Sequence, residues 1–255
     1  MDILMDLALA EGYSSPSQKA RRITEGWFES NMYCPCCVNE RVEATRDSNP
    51  VVDFVCAGCG AEFQVKSKSG PLGRKLRDAA YGPMMQSVKD GRTPHFAFIH
   101  YSSLDWSVVN LLLVPGHFIT LESIEKCAPL SSQARRAGWI GCNILTETIP
   151  PDGRLLVVKD RLVVPRKDVR QGWHRFEWIG KQKVENRGWT SDVLRCVRAL
   201  GKREFTLADV YRFTGELAKS HPYNKHIEDK IRQQLQVLRD HGIIEFLGRG
   251  HYVAV

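Results

Sequence analysis

Four cysteines occur as two closely spaced pairs, Cys34 with Cys37 and Cys56 with Cys59, and 18 residues separate one pair from the other. Thiolates at this spacing are typical zinc ligands, and four sulfurs around one ion leave no coordination position open for hydrolysis. The spacing therefore predicts a structural Zn²⁺ site rather than four buried free thiols. Cys36 is a neighbouring thiol, so the choice between Cys36 and Cys37 as the ligand stays open.

A second group of residues suggests phosphodiester hydrolysis. Asp53 ends one strand-like segment, and Gln64-Val65-Lys66 lies in the next, so the two segments can converge at one edge of a sheet. A carboxylate, an amide oxygen and the Val65 carbonyl are hard donors that suit Mg²⁺, and a lysine can orient or activate the attacking water. The same residue types meet by chance in many proteins, so the pattern by itself also fits a solvated strand face.

A third group combines two arginines with a tryptophan. Arg135, Arg136 and Trp139 lie on a segment that Gly138 and Gly141 make flexible. An indole on such a loop can stack on a base while the guanidinium groups contact phosphates. A core tryptophan beside two surface arginines explains the same residues equally well.

The elements that must position these residues are mostly strands up to about residue 180. Helical periodicity begins at a capping box over residues 15–18, and residues 51–55 and 61–68 predict strands on either side of the second cysteine pair. The remaining predictions are a helix over 75–89, paired strands over 95–101 and 106–114, a helix from Thr120, a hairpin over 154–165 and a polar linker over 181–188.

The C-terminal segment predicts a winged helix-turn-helix. Helical patterns over 190–200, from Thr206 and over 225–240 precede a short hairpin over 243–255. Residues 181–255 carry 14 basic and 9 acidic side chains, which is most of the +7 net charge, and this favours DNA over a protein partner. The residues that point away from the apolar helix face or lie at the wing tip, and that we expect to contact DNA, are Lys225, His226, Lys230, Gln233 and Arg249.

Composition and length exclude several classes of protein. The 255 residues are 43% hydrophobic and 25% charged, which is ordinary for a globular chain and excludes a disordered or coiled-coil protein. The longest apolar run is far shorter than the roughly 20 residues of a membrane helix. Asp2 and Asp6 stand where an export signal carries basic residues, so we expect a cytoplasmic protein without membrane contact.

Several long segments together resemble the DpnI-type methyladenine-directed restriction endonucleases. The resemblance covers nearly the whole chain and lies in SQKARRITEGW, the two cysteine pairs, DFVCAGCGAEFQVKSK, ARRAGWIGCNI, RGWT and IRQQLQVLRDHGIIEFLGRG. It implies an α/β (α+β) PD-(D/E)xK nuclease domain over residues 1–182 with a zinc-binding insert, followed by a winged helix over 183–255. It also implies a type II site-specific deoxyribonuclease that cuts double-stranded DNA at GATC containing N6-methyladenine, with no obligate protein partner.

Carried over by position, the resemblance makes Asp53, Gln64 and Lys66 the active site, with Mg²⁺ held by Asp53, Gln64 and the Val65 carbonyl. It makes Trp139 the candidate for a methyladenine pocket, and Cys34, Cys37, Cys56 and Cys59 the zinc site. The family has an acidic residue where this chain has Gln64, and Glu62 is a possible substitute on the same strand face. A catalytically weakened methyl-DNA-binding protein or transcription regulator is the alternative, and a zinc-containing winged-helix protein dock is a third.

Overall fold

The structure of the chain, a computed structural model, describes residues 1–45 and 52–255. Val51, the first residue of the strand predicted over 51–55, lies outside this part. The α-helices are α1 (Pro16–Asn31), α2 (Tyr81–Lys89), α3 (Arg166–Arg175), α4 (Val184–Ala199), α5 (Leu207–Tyr211), α6 (Thr214–Ser220) and α7 (Ile227–Asp240). The strands are β1 (Glu43–Ala44), β2 (Phe54–Val55), β3 (Glu62–Lys68), β4 (Lys75–Ala80), β5 (His95–Ser102), β6 (Ser107–Val114), β7 (Ile124–Lys126), β8 (Gly141–Leu145), β9 (Leu155–Lys159), β10 (Leu162–Val163), β11 (Glu204–Thr206), β12 (Ile244–Gly248) and β13 (His251–Ala254).

A seven-stranded sheet in the order β1-β2-β3-β5-β6-β9-β10 forms the centre of the N-terminal part of the chain. Only β3 and β5 run parallel, and the chain between them passes through β4 and α2. The predicted pairing of segments 95–101 and 106–114 is present as β5 and β6. Leu111 and Leu113 of β6 belong to one buried cluster, and Leu112 and Val114 belong to the other. A strand covered on both faces needs no polar alternation, which explains the continuous apolar run.

Two buried clusters lie on the two faces of this sheet. On one face, Trp27 and Phe28 of α1 pack with Phe63 of β3 and Trp173 of α3. The other face belongs to a larger cluster that contains α2 and the second sheet, of order β4-β8-β7. Phe63 and Val65 of β3 belong to the first cluster, and Lys66 on its other face forms an ion pair with Asp78 of β4, so the strand is held from both sides.

The segment 75–89 is not the single helix that the sequence predicts. Residues 75–80 form β4, where buried Leu76 and Asp78 alternate with more exposed neighbours and pair against β8. Helix α2 begins only at Tyr81, which puts Pro83 in the first turn, where its missing N–H costs no hydrogen bond. The correction matters for function because it makes Asp78 a buried residue of a sheet.

Two other local predictions are also wrong. The predicted capping residue Ser15 makes no capping hydrogen bond to α1, and its hydroxyl oxygen lies 3.0 Å from that of Ser17. Thr120 precedes only a one-turn helix, Leu121–Ser123, because Ile124 then pairs with Ile144 as part of β7 and β8.

The C-terminal part is a winged helix-turn-helix with the element order α4, β11, α5, α6, α7, β12 and β13, and its three strands form a sheet in the order β11-β13-β12. The predicted capping box at Thr206 is formed with Asp209, and Gly242 ends α7 in a left-handed conformation at φ 67°. The polar linker predicted over 181–188 is wrong, because α4 already begins at Val184. Trp189 of α4 belongs to the same buried cluster as Phe118 of the N-terminal part, so the two parts share a core.

Among residues 1–45 and 52–255, no helix has the length and apolar character needed to cross a membrane.

Candidate active site

The edge of β3 brings Asp53 and Val65 together. The Asp53 backbone N–H donates to the Phe63 carbonyl at 2.9 Å, and its carboxylate Oδ2 accepts from the Val65 N–H at 2.8 Å. The N–H and C=O of one strand residue point toward the same neighbouring strand, so the Val65 carbonyl faces the edge that Asp53 occupies. A carboxylate and a backbone carbonyl, both suited to a hard cation, therefore lie side by side.

Gln64 and Lys66 lie on the other face of β3, as alternation requires. Gln64 is buried and Lys66 is partly exposed, with its Nζ 3.2 Å from Oδ1 of Asp78 on β4. The Gln64 amide fits its neighbours when its nitrogen donates to Asp78 Oδ1 at 3.3 Å and its oxygen accepts from Lys66 Nζ at 3.1 Å. Carboxylate, amide and ammonium thus form a closed group of three.

Asp78 is the site residue that sequence reasoning missed. Its side chain is completely buried, whereas Glu62, the substitute considered from the sequence, is exposed. No sequence motif contains Asp78. Because the sequence predicts a helix over 75–89, it does not predict the strand alternation that places Asp78 opposite β3. The pairing of β4 with β8 is long-range information that local periodicity does not contain.

Trp139 lies on the loop that joins β7 to β8. The Leu130 N–H donates to the Trp139 carbonyl at 2.9 Å and closes this loop. The half-buried indole lies near two guanidinium groups, with those of Arg77 and Arg136 at 5.7 and 4.9 Å from the ring centroid. A Cβ at Gly141 would come within 2.7 Å of the ring, so a glycine is required there for the ring to pack against the backbone.

A small cavity connects this loop to the β3 site. It has a volume of about 230 Å³, and its lining residues are Asp78, Ala79, Ala80, Pro83, Met84, Arg136 and Trp139. Asp78 therefore contacts Lys66 and Gln64 on one side and the tryptophan cavity on the other. The Asp78 carboxylate thus links two groups that are unrelated in the sequence, the Asp53 to Lys66 motif and the Trp139 loop.

The four cysteines Cys34, Cys37, Cys56 and Cys59 form one cluster in which all Sγ atoms lie within 4.8 Å of one another. The Cys34–Cys59 and Cys37–Cys56 sulfur pairs are each 3.6 Å apart. A disulfide requires about 2.05 Å, whereas sulfurs bonded at about 2.3 Å around a tetrahedral zinc lie roughly 3.8 Å apart. The cluster is thus built to hold a metal ion such as zinc.

Asn39 donates hydrogen bonds to two of the clustered sulfurs. Its side-chain amide donates to Cys56 Sγ and its backbone N–H to Cys37 Sγ, each at 3.4 Å. Burial raises the pKa of Cys56, but the Asn39 hydrogen bond and backbone N–H groups outweigh it and lower that pKa to about 6. Cys36 lies outside the cluster, with its Sγ 3.8 Å from His95 Nε2, so the structure selects Cys37.

The chain matches the family model described as DpnI, Dam-replacing family, over residues 1–182, and the DpnI Dam-replacing HTH domain over residues 185–254. It belongs to the DpnI family. This confirms the resemblance and the α/β nuclease fold with a C-terminal helix-turn-helix domain. Membership in the DpnI family makes the chain a methylation-dependent restriction nuclease that acts on DNA.

The helix-turn-helix domain of this DpnI family member presents most of the expected DNA contacts to solvent. Lys225 and His226 precede α7, Gln233 lies on its outer face, and all three are exposed. Arg249 is also exposed, at the tip of the β12–β13 wing. Lys230 differs, because it is half-buried and its ammonium donates to Asn186 Oδ1 of α4 at 3.3 Å.

Proposed function

We propose that this protein is a Mg²⁺-dependent endonuclease that cuts double-stranded DNA at GATC containing N6-methyladenine. The observation that carries the proposal is the group of Gln64, Lys66 and Asp78 beside a cavity lined by Trp139, on the strand whose Val65 N–H holds the Asp53 carboxylate. A metal-assisted nuclease needs oxygen donors and a cation next to the scissile phosphate. This constellation supplies both.

The donors fit magnesium. Asp53, the Gln64 amide oxygen and the Val65 carbonyl would hold the ion, and all three are oxygens. Mg²⁺ supplies positive charge to the phosphate and favours loss of a proton from water when it is bound. Lys66, held by Asp78, keeps an ammonium at the same place to orient the attacking water. Water then forms one P–O bond, another P–O bond breaks, and the leaving oxygen becomes a hydroxyl.

The methyl group has a proposed contact at Trp139. The cavity of about 230 Å³ is smaller than the about 300–1,000 Å³ of pockets for drug-sized ligands, so it suits the methylated edge of a base rather than a whole nucleotide. Met84, Pro83 and the indole offer apolar contact to a methyl group. Arg135 and Arg136, both exposed on the same loop, are positioned for phosphates.

The winged helix has a second proposed role in methyl recognition. N6 of adenine faces the major groove, where a recognition helix such as α7 binds. The two adenines of GATC lie in adjacent base pairs on opposite strands, so both methyl groups fall within reach of one helix. Lys225, His226 and Arg249 would add phosphate contacts at the flanks.

Plasmid digestion tests the proposed function. The full-length protein is incubated with Mg²⁺ and with one plasmid prepared either methylated or unmethylated at GATC. Cutting of the methylated plasmid alone, at GATC, is the expected result. The alternative function, a weakened methyl-DNA binder or regulator, is favoured by the neutral Gln64 and predicts a mobility shift of methylated DNA without cutting.

Trp139→Ala is expected to lower discrimination between methylated and unmethylated GATC by about 10–200-fold, the worth of one apolar methyl contact. The measurement is the ratio of single-turnover cleavage rates on the two DNAs. Arg135→Ala is the matched control on the same loop, and it should slow both reactions alike because phosphate contacts carry no sequence information. An unchanged ratio of the two cleavage rates in Trp139→Ala would show that the cavity has no role in methyl recognition.

Arg249→Ala is expected to weaken binding of methylated and unmethylated duplexes by the same factor and to reduce the salt dependence by about one phosphate contact. Gln233→Ala, on the outer face of α7, should instead reduce the preference for methylated DNA by about tenfold. Both are measured with the full-length protein at two salt concentrations. If Arg249→Ala changed the preference, the wing would be reading the site rather than anchoring it.

A further inference from the structure

Gln64 leaves the proposed cation site with one carboxylate too few. The residues assigned from the motif contribute Asp53 as the only acid, while Lys66 adds a positive charge to the set. Affinity of oxygen sites for divalent cations rises with the number of ligand charges, so a neutral residue 64 weakens the site unless another acid is close. Glu62 does not fill this need, because it is exposed and its side chain makes no hydrogen bond or ion pair in the described chain.

Asp78 is an acid at the required place. Its buried Oδ1 lies 3.2 Å from Lys66 Nζ, and it accepts from the Gln64 amide nitrogen at 3.3 Å when the amide is oriented to satisfy both neighbours. A buried carboxylate is costly unless it is paired and hydrogen-bonded, and these two groups provide both kinds of partner. The other oxygen lies 3.8 Å from Cys142 Sγ. The Asp78 carboxylate is therefore held in place beside the motif residues.

The contact between Asp78 and Gln64 also decides which end of the Gln64 amide points away from Asp78. The amide nitrogen donates to Asp78, so the oxygen lies on the side of Lys66. Only the oxygen can bind a cation, since the nitrogen offers hydrogen-bond donors alone. Asp78 and Lys66 fix this orientation together, because the carboxylate holds the amide nitrogen and the ammonium holds the amide oxygen.

We infer that Asp78 is a positioning residue that supplies the negative charge missing from residue 64 and orients Gln64 and Lys66 for the cation-dependent reaction. The inference rests on the proposed function. A glutamate at position 64 would put a second carboxylate about where the amide nitrogen now lies, 3.3 Å from Asp78 Oδ1. Gln64 and Asp78 are therefore a matched pair, in which Asp78 carries the charge that residue 64 lacks.

Four proteins test the pair: the natural protein, Asp78→Asn, Gln64→Glu and the exchanged variant Gln64→Glu/Asp78→Asn. Each is purified at full length with the cysteine cluster loaded with zinc and titrated with Mn²⁺, an ion with the same oxygen preference as Mg²⁺, by following free Mn²⁺ with EPR. Single-turnover cleavage of methylated GATC and the melting temperature are measured in parallel. Asp90→Asn, which removes an exposed carboxylate beyond α2, is the matched control.

We expect Asp78→Asn to bind Mn²⁺ at least tenfold more weakly, and the exchanged variant to recover the natural affinity within about threefold because its charge is the same. Cleavage should follow the same order. Gln64→Glu should bind Mn²⁺ at least as tightly as the natural protein and should melt at lower temperature without it, because two carboxylates then meet in a buried place. Asp90→Asn should change none of these quantities.

A purely structural Asp78 gives a different pattern. Asp78→Asn would then have a lower melting temperature but a Mn²⁺ affinity within twofold of that of the natural protein. The exchanged variant would bind Mn²⁺ at least tenfold more tightly than the natural protein, because the carboxylate introduced at position 64 adds a charge. Either result overturns the inference, and the second remains decisive if Asp78→Asn fails to fold. If the natural protein binds Mn²⁺ as expected but does not cut methylated DNA, the proposed function is wrong. The Mn²⁺ titrations of the variants then still test the role of Asp78.

Discussion

Replacing Lys66 with methionine is expected to reduce cleavage of methylated DNA by about 10³-fold or more, since the ammonium is lost where charge develops on the phosphate. Methionine keeps the unbranched stem of the side chain. Asp53→Asn should have an effect of similar size, because its amide oxygen can still accept from the Val65 N–H while the carboxylate charge is gone. The measurement is single-turnover cleavage with saturating protein.

Binding separates loss of chemistry from loss of folding in these variants. The affinity for methylated duplex should stay within about threefold, because the winged helix retains its contacts. Lys68→Met is the matched control, since Lys68 is exposed two residues further along the same face of β3, and it should cut normally. Normal cutting by Lys66→Met would show that the catalytic assignment is wrong.

Replacing Cys56 with serine is expected to remove bound zinc and with it most of the folded protein. Structural zinc sites contribute about 10–16 kcal/mol in zinc-finger peptides, which equals or exceeds the about 5–15 kcal/mol of net stability of a typical domain. Cys56 follows β2 directly, and Cys59 precedes β3, so the cluster also braces the turn that holds Asp53 against Val65. Zinc content and thermal unfolding are the measurements, with about one zinc per natural chain.

Cys36→Ser is the matched control for the zinc site. Cys36 is adjacent to Cys37 but lies outside the cluster, so its variant should keep about one zinc and a nearly unchanged melting temperature. Cys37→Ser should behave like Cys56→Ser. A disulfide among the four clustered cysteines in metal-free, fully folded protein would contradict the zinc assignment.

The shared core changes how the C-terminal domain has to be studied. The polar composition of residues 181–188 predicts a linker, yet Val184, Gly188 and Trp189 belong to α4, and Trp189 packs into the cluster that contains Phe118. Polarity at the start of a helix reflects its solvated side and says nothing about what its other side contacts. DNA-binding measurements therefore belong to the full-length protein.

The cysteine pairs, the Asp53 to Lys66 motif and the winged helix could all be identified from the sequence, because each depends on spacing within a few residues or on a local period. The choice of Cys37 over Cys36 could not, since both thiols have suitable spacing and only the folded turn shows which one faces Cys56.

The assignment of Asp78 to the candidate site depended entirely on the tertiary structure. Asp78 lies 12 residues beyond Lys66, in a segment whose composition suits a helix, and becomes part of the site only because β4 pairs with β8, more than 60 residues away. The sequence determined which chemical groups and which fold this protein has. The packing of β4 beside β3 decided where its second carboxylate lies, because contacts between strands distant in the chain leave no periodic trace in either strand.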